Sequence, residues 1–408
     1  MIIESFSNVL PRLRHRGRWL PLLFLLCVVT GATAAEPVTV FENGKEGYNI
    51  YRIPAVVRAA NGDLLAFCEA REGGDQSEID LVLKRSTDGG VSWLPIQTVQ
   101  ESDDFRDLVP DSDVTVGNPA PVVDLLDERH PGRIWLPFTL ENDRVFVTFS
   151  DDHGETWAER CEITSDVKLK AWGWYATGPV HSIQLQTGPH RGRLVVPCDH
   201  RLGEDGEDRG ANGAHAMLSD DHGQTWRLGA IDDTYEDGLN ANETAVVELQ
   251  DGRLYFNTRD QRGKAPGTRG GAWSEDGGDS FRRRKGNYAF FQPSPVELDP
   301  PVVQSSLLRI QLGSSDRDLI LFSGPDEDGP SGKGRSDLRI RFSTDAAKTW
   351  RDGPMIHVGK AAYSDLIQLG ETQIGVLFEV GTDKQQYQRI VFATFELSDL
   401  ELERTANQ

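Results

Sequence analysis

The sequence predicts an all-β fold, a six-bladed β-propeller of four-stranded antiparallel blades with Asp-box turns, and three observations carry the prediction. The stretch Ser150-Asp151-Asp152-His153-Gly154-Glu155-Thr156-Trp157 reads Ser-x-Asp-x-Gly-x-Thr-Trp; it returns in full over 219–226 and, with Ser92 in the Thr place, over 86–93. Worn copies occupy 274–281 and 343–350, the last with Ala347 where the Gly belongs. The copies start 55 to 69 residues apart, the length of one sheet-sized unit. Each copy follows a β-type run and, further upstream, a hairpin, whereas no stretch has the period of a long amphipathic helix and no Pro/Ser linker divides the chain.

The repeated turn has a local physical cause. Ser and Asp side chains accept backbone N–H bonds and close a tight loop, Gly supplies a positive φ, and the Trp packs beneath. Asp151-Asp152 and Asp220-Asp221 make these turns rich in carboxylates. They lack the alternating acidic ligands and terminal bidentate Glu of a calcium loop, so they are expected to be structural staples.

Taken from the N-terminus, Arg12, Arg14, Arg16 and Arg18 precede an apolar run over 19–29, and Ala32-Thr33-Ala34 offers a small-x-small cleavage site. Residues 1–35 therefore read as a signal peptide, too short for a good spanning helix, and 36–408 as one propeller domain that is secreted or periplasmic. Loss of the four Arg and Glu4 would take the formal charge from -21 to -24. So acidic a surface excludes nucleic acid and anionic membranes as partners. Three cysteines remain, Cys68, Cys161 and Cys198; an odd, sparse set is no disulfide framework and is expected to be buried free thiols. No metal-ligand spacing, phosphate loop or dinucleotide fingerprint appears, so neither metal nor cofactor is expected.

In the first unit a strand over 53–58 turns at Asn61-Gly62 and returns over 64–69; a loop over 71–77 leads to a third strand over 79–85, the repeated turn, and a fourth strand from Trp93. Five further hairpins follow, over 121–138, 180–199, 245–258, 305–322 and 364–380. The sixth unit ends over 388–397 without a repeated turn, and a strand over 38–41 is expected to complete its blade. The segments 202–213, 259–270 and 324–336 read as surface loops.

A meander sorts residues onto two rims. The start of strand 1, the end of strand 2 and the loop after it share one rim, where loops from every blade converge on the central channel; the repeated turns lie on the other. The first rim collects Arg52, Arg71 with Asp75, the aromatic run Trp172, Trp174 and Tyr175, Glu243, Arg259, Arg335, Tyr363 and Glu379. Several guanidinium groups converging in an acidic protein imply a small anionic ligand held bidentately through its carboxylate.

At this point the sequence resembles the sialidase (neuraminidase) family, with its secreted bacterial members the nearest likeness. Tyr51-Arg52-Ile53-Pro54, the repeated turns, Asn242-Glu243 and Arg335 followed by a strand carry the resemblance, which covers essentially the whole chain after residue 35. It implies that Arg52, Arg259 and Arg335 hold the sugar carboxylate, with Arg339 the competitor of Arg335. Arg71 becomes a further substrate-side Arg, and Asp75 the acid/base, with Asp80 as runner-up. Tyr363 would be the nucleophile, Glu243 its base, Glu379 the brace of Arg52, and Trp174 and Tyr175 a wall of the sugar pocket. The implied activity is retaining exo-α-sialidase hydrolysis of terminal sialic acids from oligosaccharides, glycoproteins or glycolipids by a monomer. Alternatives are a trans-sialidase, a hydrolase of another nonulosonic acid, or a non-catalytic glycan-binding propeller. The last would not need both Tyr363 and Glu243.

Overall fold

Adjacent sheets pack face to face around a ring, so most strands are buried on both sides and read as near-continuous apolar runs. In Leu64–Arg71 all eight residues are buried. The computed structural model describes residues 36–110, 112–203, 210–264, 267–310 and 318–401; the expected signal peptide lies outside them. Among the described residues the fold is all-β and propeller-like, with one four-residue helix, Thr164–Val167, and two short 3-10 turns, and no helix long and apolar enough to cross a membrane.

Ile50–Arg58, Leu64–Arg71, Ile79–Ser86 and Gln97–Gln100 pair in that order, as expected of a meander. Ala241–Glu248, Leu254–Asp260, Arg269–Ser274 and Gln292–Pro293 form a second four-stranded sheet. Between these two in sequence lie two five-stranded sheets whose first strand is split. Val116–Gly117 and Val122–Asp124 both pair with Arg133–Leu140, and Trp172–Thr177 and Ile183–Gln184 both pair with Leu194–Leu202. The splits fall at Pro119 and Pro121 and at Gly178-Pro179, since proline has no N–H to give a ladder.

The expected six separate blades are corrected by the strand pairing, which gives five sheets among the described residues. The fifth has seven strands because Arg351–Gln368 never breaks. Its first part pairs with Ser336–Ser343, its last part with Gln373–Thr382. Val38–Glu42 closes the ring on the outer edge of that sheet by pairing with Gln385–Glu396, the place expected for the 38–41 strand.

The core is a set of clusters between neighbouring sheets. Leu65, Phe67 and Leu83 meet Ile134 and Leu136. Trp135 and Val147 meet Tyr175 and Val196; Leu218 meets Val246 and Phe256; Tyr255 meets Phe322 and Trp350. Phe41, Ile390 and Phe392 meet Tyr51 and Ala66, joining the two ends of the chain. A further cluster, with Leu338 and Ile340 against Leu366 and Phe378, lies within the seven-stranded sheet.

The repeated turns all share one geometry. Ser86, Ser150, Ser219, Ser274 and Ser343 each accept, through Oγ, the N–H four residues on, at 2.8 to 3.0 Å. Each following Asp accepts both the N–H and the hydroxyl of the Ser or Thr position. The worn copy keeps the conformation: Ala347 sits at φ 63°. Gly223 has a second constraint besides its φ of 83°, because a Cβ there would lie 2.1 Å from the Trp135 ring of the preceding sheet.

Candidate active site

Five of the innermost strands are irregular at one height, and that irregularity builds the site. Register shifts occur between Arg52 and Ala55, between Ala241 and Thr244, and between Ala361 and Ser364. The two split strands break at the same rim. A bulge turns side chains out of the alternation of a strand; here it presents Arg52, Glu243 and Tyr363 to the channel. Ile53 takes φ 61°, a costly conformation for a β-branched residue.

Glu379 holds two of these bulges together. Its Oε1 accepts Arg52 Nε at 2.6 Å and the Ile53 N–H at 3.0 Å, while Oε2 accepts the Tyr363 N–H at 3.2 Å. It is 1% exposed, so the ion pair with Arg52 is buried, and both carboxylate oxygens of Glu379 are hydrogen-bonded. The Arg52 guanidinium lies 3.6 Å from the centre of the Tyr387 ring and 5.2 Å from that of Tyr363.

The Tyr363 hydroxyl donates to Glu243 Oε1. Arg259 Nη1 donates to Glu243 Oε2 at 2.7 Å and to the Tyr363 oxygen at 3.3 Å, while its buried Nε has no hydrogen-bond partner among the described residues. Arg335 donates to the Tyr387 hydroxyl at 2.7 Å and the Val302 carbonyl at 2.9 Å. Burial pushes the Tyr363 phenol up and Glu243 pushes it further; Arg259, Arg52 and Arg335 act against them without prevailing, so the phenol is neutral at rest.

Arg71 is clamped by Glu69, which takes its Nε at 2.9 Å, and reaches Asp75 at 2.5 Å through Nη1. Glu69 Oε1 also accepts the Asn118 N–H at 2.8 Å. Gly117 is required for that approach, since a Cβ there would lie 2.4 Å from Glu69 Oε1. Asp75 is 84% exposed at its side chain. What burial it has pushes its carboxyl up, but the charge and hydrogen bond of Arg71, with Arg52 and Arg335 beyond, outweigh this and hold it below the usual range.

These groups line one cavity of about 500 Å³, which brings together Arg52, Arg71, Asp75, Glu243, Arg259, Arg335, Tyr363 and Trp174, with Glu379 directly behind. Asp80 is outside it, its oxygens taken by the Tyr48 hydroxyl at 2.6 Å and the Ser102 N–H at 2.7 Å. Arg339 is also outside, bonded to Asp326 at 2.5 Å.

Tyr175 corrects the expectation of a pocket wall. It is wholly buried among Trp172, Cys198 and Met217, because consecutive strand residues face opposite ways and only Trp174 turns to the cavity. Cys161 is a second correction. It is exposed on the short strand Cys161–Glu162, whereas Cys68 and Cys198 are buried free thiols.

The cavity also contains residues that the sequence reading did not assign: Glu69, Asn118, Arg201, Asn242 and Tyr387. Glu69 was within reach, as it lies two residues before Arg71 on the same face of a strand. Tyr387 had no local signal. Asn242 donates at 2.6 Å to Asp199, a fully buried carboxyl that burial, reinforced by the negative Glu243, pushes well above the usual range, so it keeps its proton. Among the described residues one group could offer metal ligands, Asp124, Asp127 and His222, on the opposite rim. Its atoms are already engaged, with His222 Nδ1 2.8 Å from Asp124 Oδ2 and Asp124 Oδ1 accepting two N–H groups at 3.0 Å.

The BNR repeat-like domain family model matches residues 62–376. The chain is 31% identical to a sialidase of Micromonospora viridifaciens over 94% of its own length and 60% of that protein's. It is 30% identical to an exo-alpha-sialidase of Aspergillus fumigatus over 86% of this chain and 85% of that one. The chain thus spans less than two thirds of the first relative's length but most of the second's. Among solved structures it is similar to a Hadza microbial sialidase, at TM-score 0.72 and 26% identity, covering 89% of this chain and 69% of the other. An intramolecular trans-sialidase from Ruminococcus gnavus, at TM-score 0.69 and 19% identity over 90% of this chain and 98% of that one, shares the fold.

Proposed function

Because the chain belongs to the sialidase family, we propose that it is an exo-α-sialidase that removes terminal sialic acids from glycoconjugates with retention, through a tyrosyl-enzyme intermediate. One observation carries the reading: a neutral buried phenol, Tyr363, hydrogen-bonded to the Glu243 carboxylate inside a ring of arginines.

The choice of nucleophile follows from the substrate. A sialic acid bears a carboxylate on its anomeric carbon, and an anionic Asp or Glu would be repelled from it. A phenol approaches uncharged and passes its proton to Glu243 Oε1 as its oxygen bonds to that carbon. Arg259 touches both partners and steadies the charge as it moves. Its unpartnered Nε, together with Arg52 and Arg335, would grip the sugar carboxylate and fix the ring over Tyr363, a positioning effect. Arg52 is suited to this: Glu379 holds its Nε, and among the described residues no hydrogen bond uses its terminal nitrogens.

Asp75 would protonate the departing oxygen and then take a proton from the water that releases the sugar. It is ionised beside Arg71 here. Substrate supplies the change it needs, since the incoming carboxylate neutralises Arg52 and Arg335 and the sugar excludes water, both of which raise the Asp75 carboxyl. Two displacements, each inverting, give net retention.

Two further points belong to this reading. The cluster joining Leu338 and Ile340 to Leu366 and Phe378 supports taking the seven-stranded sheet as two blades fused through Arg351–Gln368, which would make six. The basic-then-apolar segment over 12–29 supports an exported enzyme. The test is hydrolysis of a fluorogenic aryl sialoside, with the first anomer followed by proton NMR. Release of the α-anomer, and a loss of roughly 10²-fold or more in kcat for Tyr363→Phe with unchanged folding, are expected. Near-normal release by Tyr363→Phe would overturn the nucleophile.

A further inference from the structure

A second cavity, of about 670 Å³, adjoins the first and shares Asp75, Gln76, Thr115, Asn142 and Trp174 with it. The two differ sharply in charge. Five arginines line the first: Arg52, Arg71, Arg201, Arg259 and Arg335. The second is lined by four carboxylates, Asp75, Asp113, Glu141 and Asp143, and, among the described residues, by no Lys or Arg. Arg71 pairs with Asp75 and Lys168 with Asp143. Asp113 and Glu141 have no cationic partner among the described residues; Glu141 accepts only the N–H and hydroxyl of Thr115. Three sheets contribute, through the loop holding Asp75, the turn Glu141-Asn142-Asp143, and Trp174.

We propose that this second cavity is the leaving-group subsite and that its carboxylates select neutral aglycones over aglycones carrying negative charge of their own. The inference rests on the sialidase reading above. If Asp75 protonates the glycosidic oxygen, that oxygen sits at the junction of the two cavities. The acidic sugar then lies among the arginines, and whatever departs must pass beside Asp113 and Glu141. A galactose-type aglycone meets hydrogen-bonding groups there and no penalty. A second sialic acid, as in an α2-8-linked chain, brings its carboxylate into a field of the same sign.

The test compares kcat/KM on three substrates: an aryl sialoside, 3'-sialyllactose and an α2-8-linked sialic acid dimer. Sialyllactose is expected to exceed the dimer by about tenfold at low ionic strength, with the gap narrowing as sodium chloride is raised. Asp113→Lys and, separately, Glu141→Gln, which keeps an acceptor for Thr115, are expected to raise the dimer-to-lactose ratio, the charge reversal by roughly fivefold. Equal rates on the two glycans, or a gap indifferent to salt and to both variants, would overturn the proposal. Inactivity on all three substrates, the aryl sialoside included, would instead overturn the sialidase reading beneath it.

Discussion

The phenol–carboxylate pair of Tyr363 and Glu243 illustrates how little freedom the site residues have. Each is held from the neighbouring strand of its own sheet, 16 residues away: Tyr363 by Glu379 through its backbone, Glu243 by Arg259 through its side chain. Arg335 is held too, its two terminal nitrogens bonding different groups, Tyr387 and Val302. A lysine cannot make both bonds and offer a fork to a carboxylate. Arg335→Lys is therefore expected to raise KM by roughly tenfold or more, and an unchanged KM would remove this residue from the carboxylate site. Asp75 makes a different prediction, because its proton matters only when the leaving group is a poor one. Asp75→Asn should cripple sialyllactose hydrolysis while sparing an activated aryl sialoside to a large degree; equal losses would place the acid elsewhere.

At the scale of the element, the bulged inner strand and the repeated turn divide the labour. Bulges at the site rim spend backbone strain, as at Ile53, to aim side chains. The turns at the other rim bond their own N–H and hydroxyl groups through Ser and Asp, and leave the buried indole nitrogens of Trp93, Trp157, Trp226 and Trp350 without a partner among the described residues. Burial opposes ionisation of Asp152, Asp221, Asp276 and Asp345, yet the hydrogen bonds from hydroxyl and N–H outweigh it and hold all four below the usual range. In Asp88 the hydrogen bonds of Ser92 lead, and the carboxyl falls to about 2. A carboxyl lowered by folding contributes stability above its unfolded value of about 4 and loses it as the pH falls through the folded value. The turns should therefore weaken between about pH 4 and 2. Thermal melts across that range are expected to show a smaller acid-induced loss for Asp152→Asn than for the parent chain. Parallel curves would show that the turns do not set the acid limit.

At the largest scale the described sheets form a propeller-like arrangement, and the pairing that closes it reaches the site. Val38–Glu42 pairs with Gln385–Glu396, and Asn43 just beyond it donates to the Tyr387 carbonyl at 3.1 Å and accepts the Tyr51 N–H at 3.0 Å. The strand that shuts the ring thus positions Tyr387, which stacks on Arg52 and bonds Arg335. Deleting residues 36–43 is expected to lower the thermal midpoint by roughly 10 °C and to weaken substrate binding together with it. A truncated chain that melts lower but keeps its KM would separate closure from the site.

The sequence by itself determined the all-β class, the repeated turn with its internal hydrogen bonds, and the rim on which Arg52, Arg71, Arg259, Arg335 and Tyr363 lie. Those properties depend on local chemistry and on the two-residue period of a strand, both legible within a few neighbouring positions. Only the tertiary structure decided that Trp174 faces the cavity and Tyr175 the core, since a bulge just upstream sets which way the alternation falls. It alone brought Tyr387 beside Arg52, joined two meanders through one unbroken strand, and set a carboxylate-lined cavity against an arginine-lined one. Contacts between residues hundreds of positions apart leave no periodicity in the chain, because they are selected by how whole sheets pack rather than by what stands next to what.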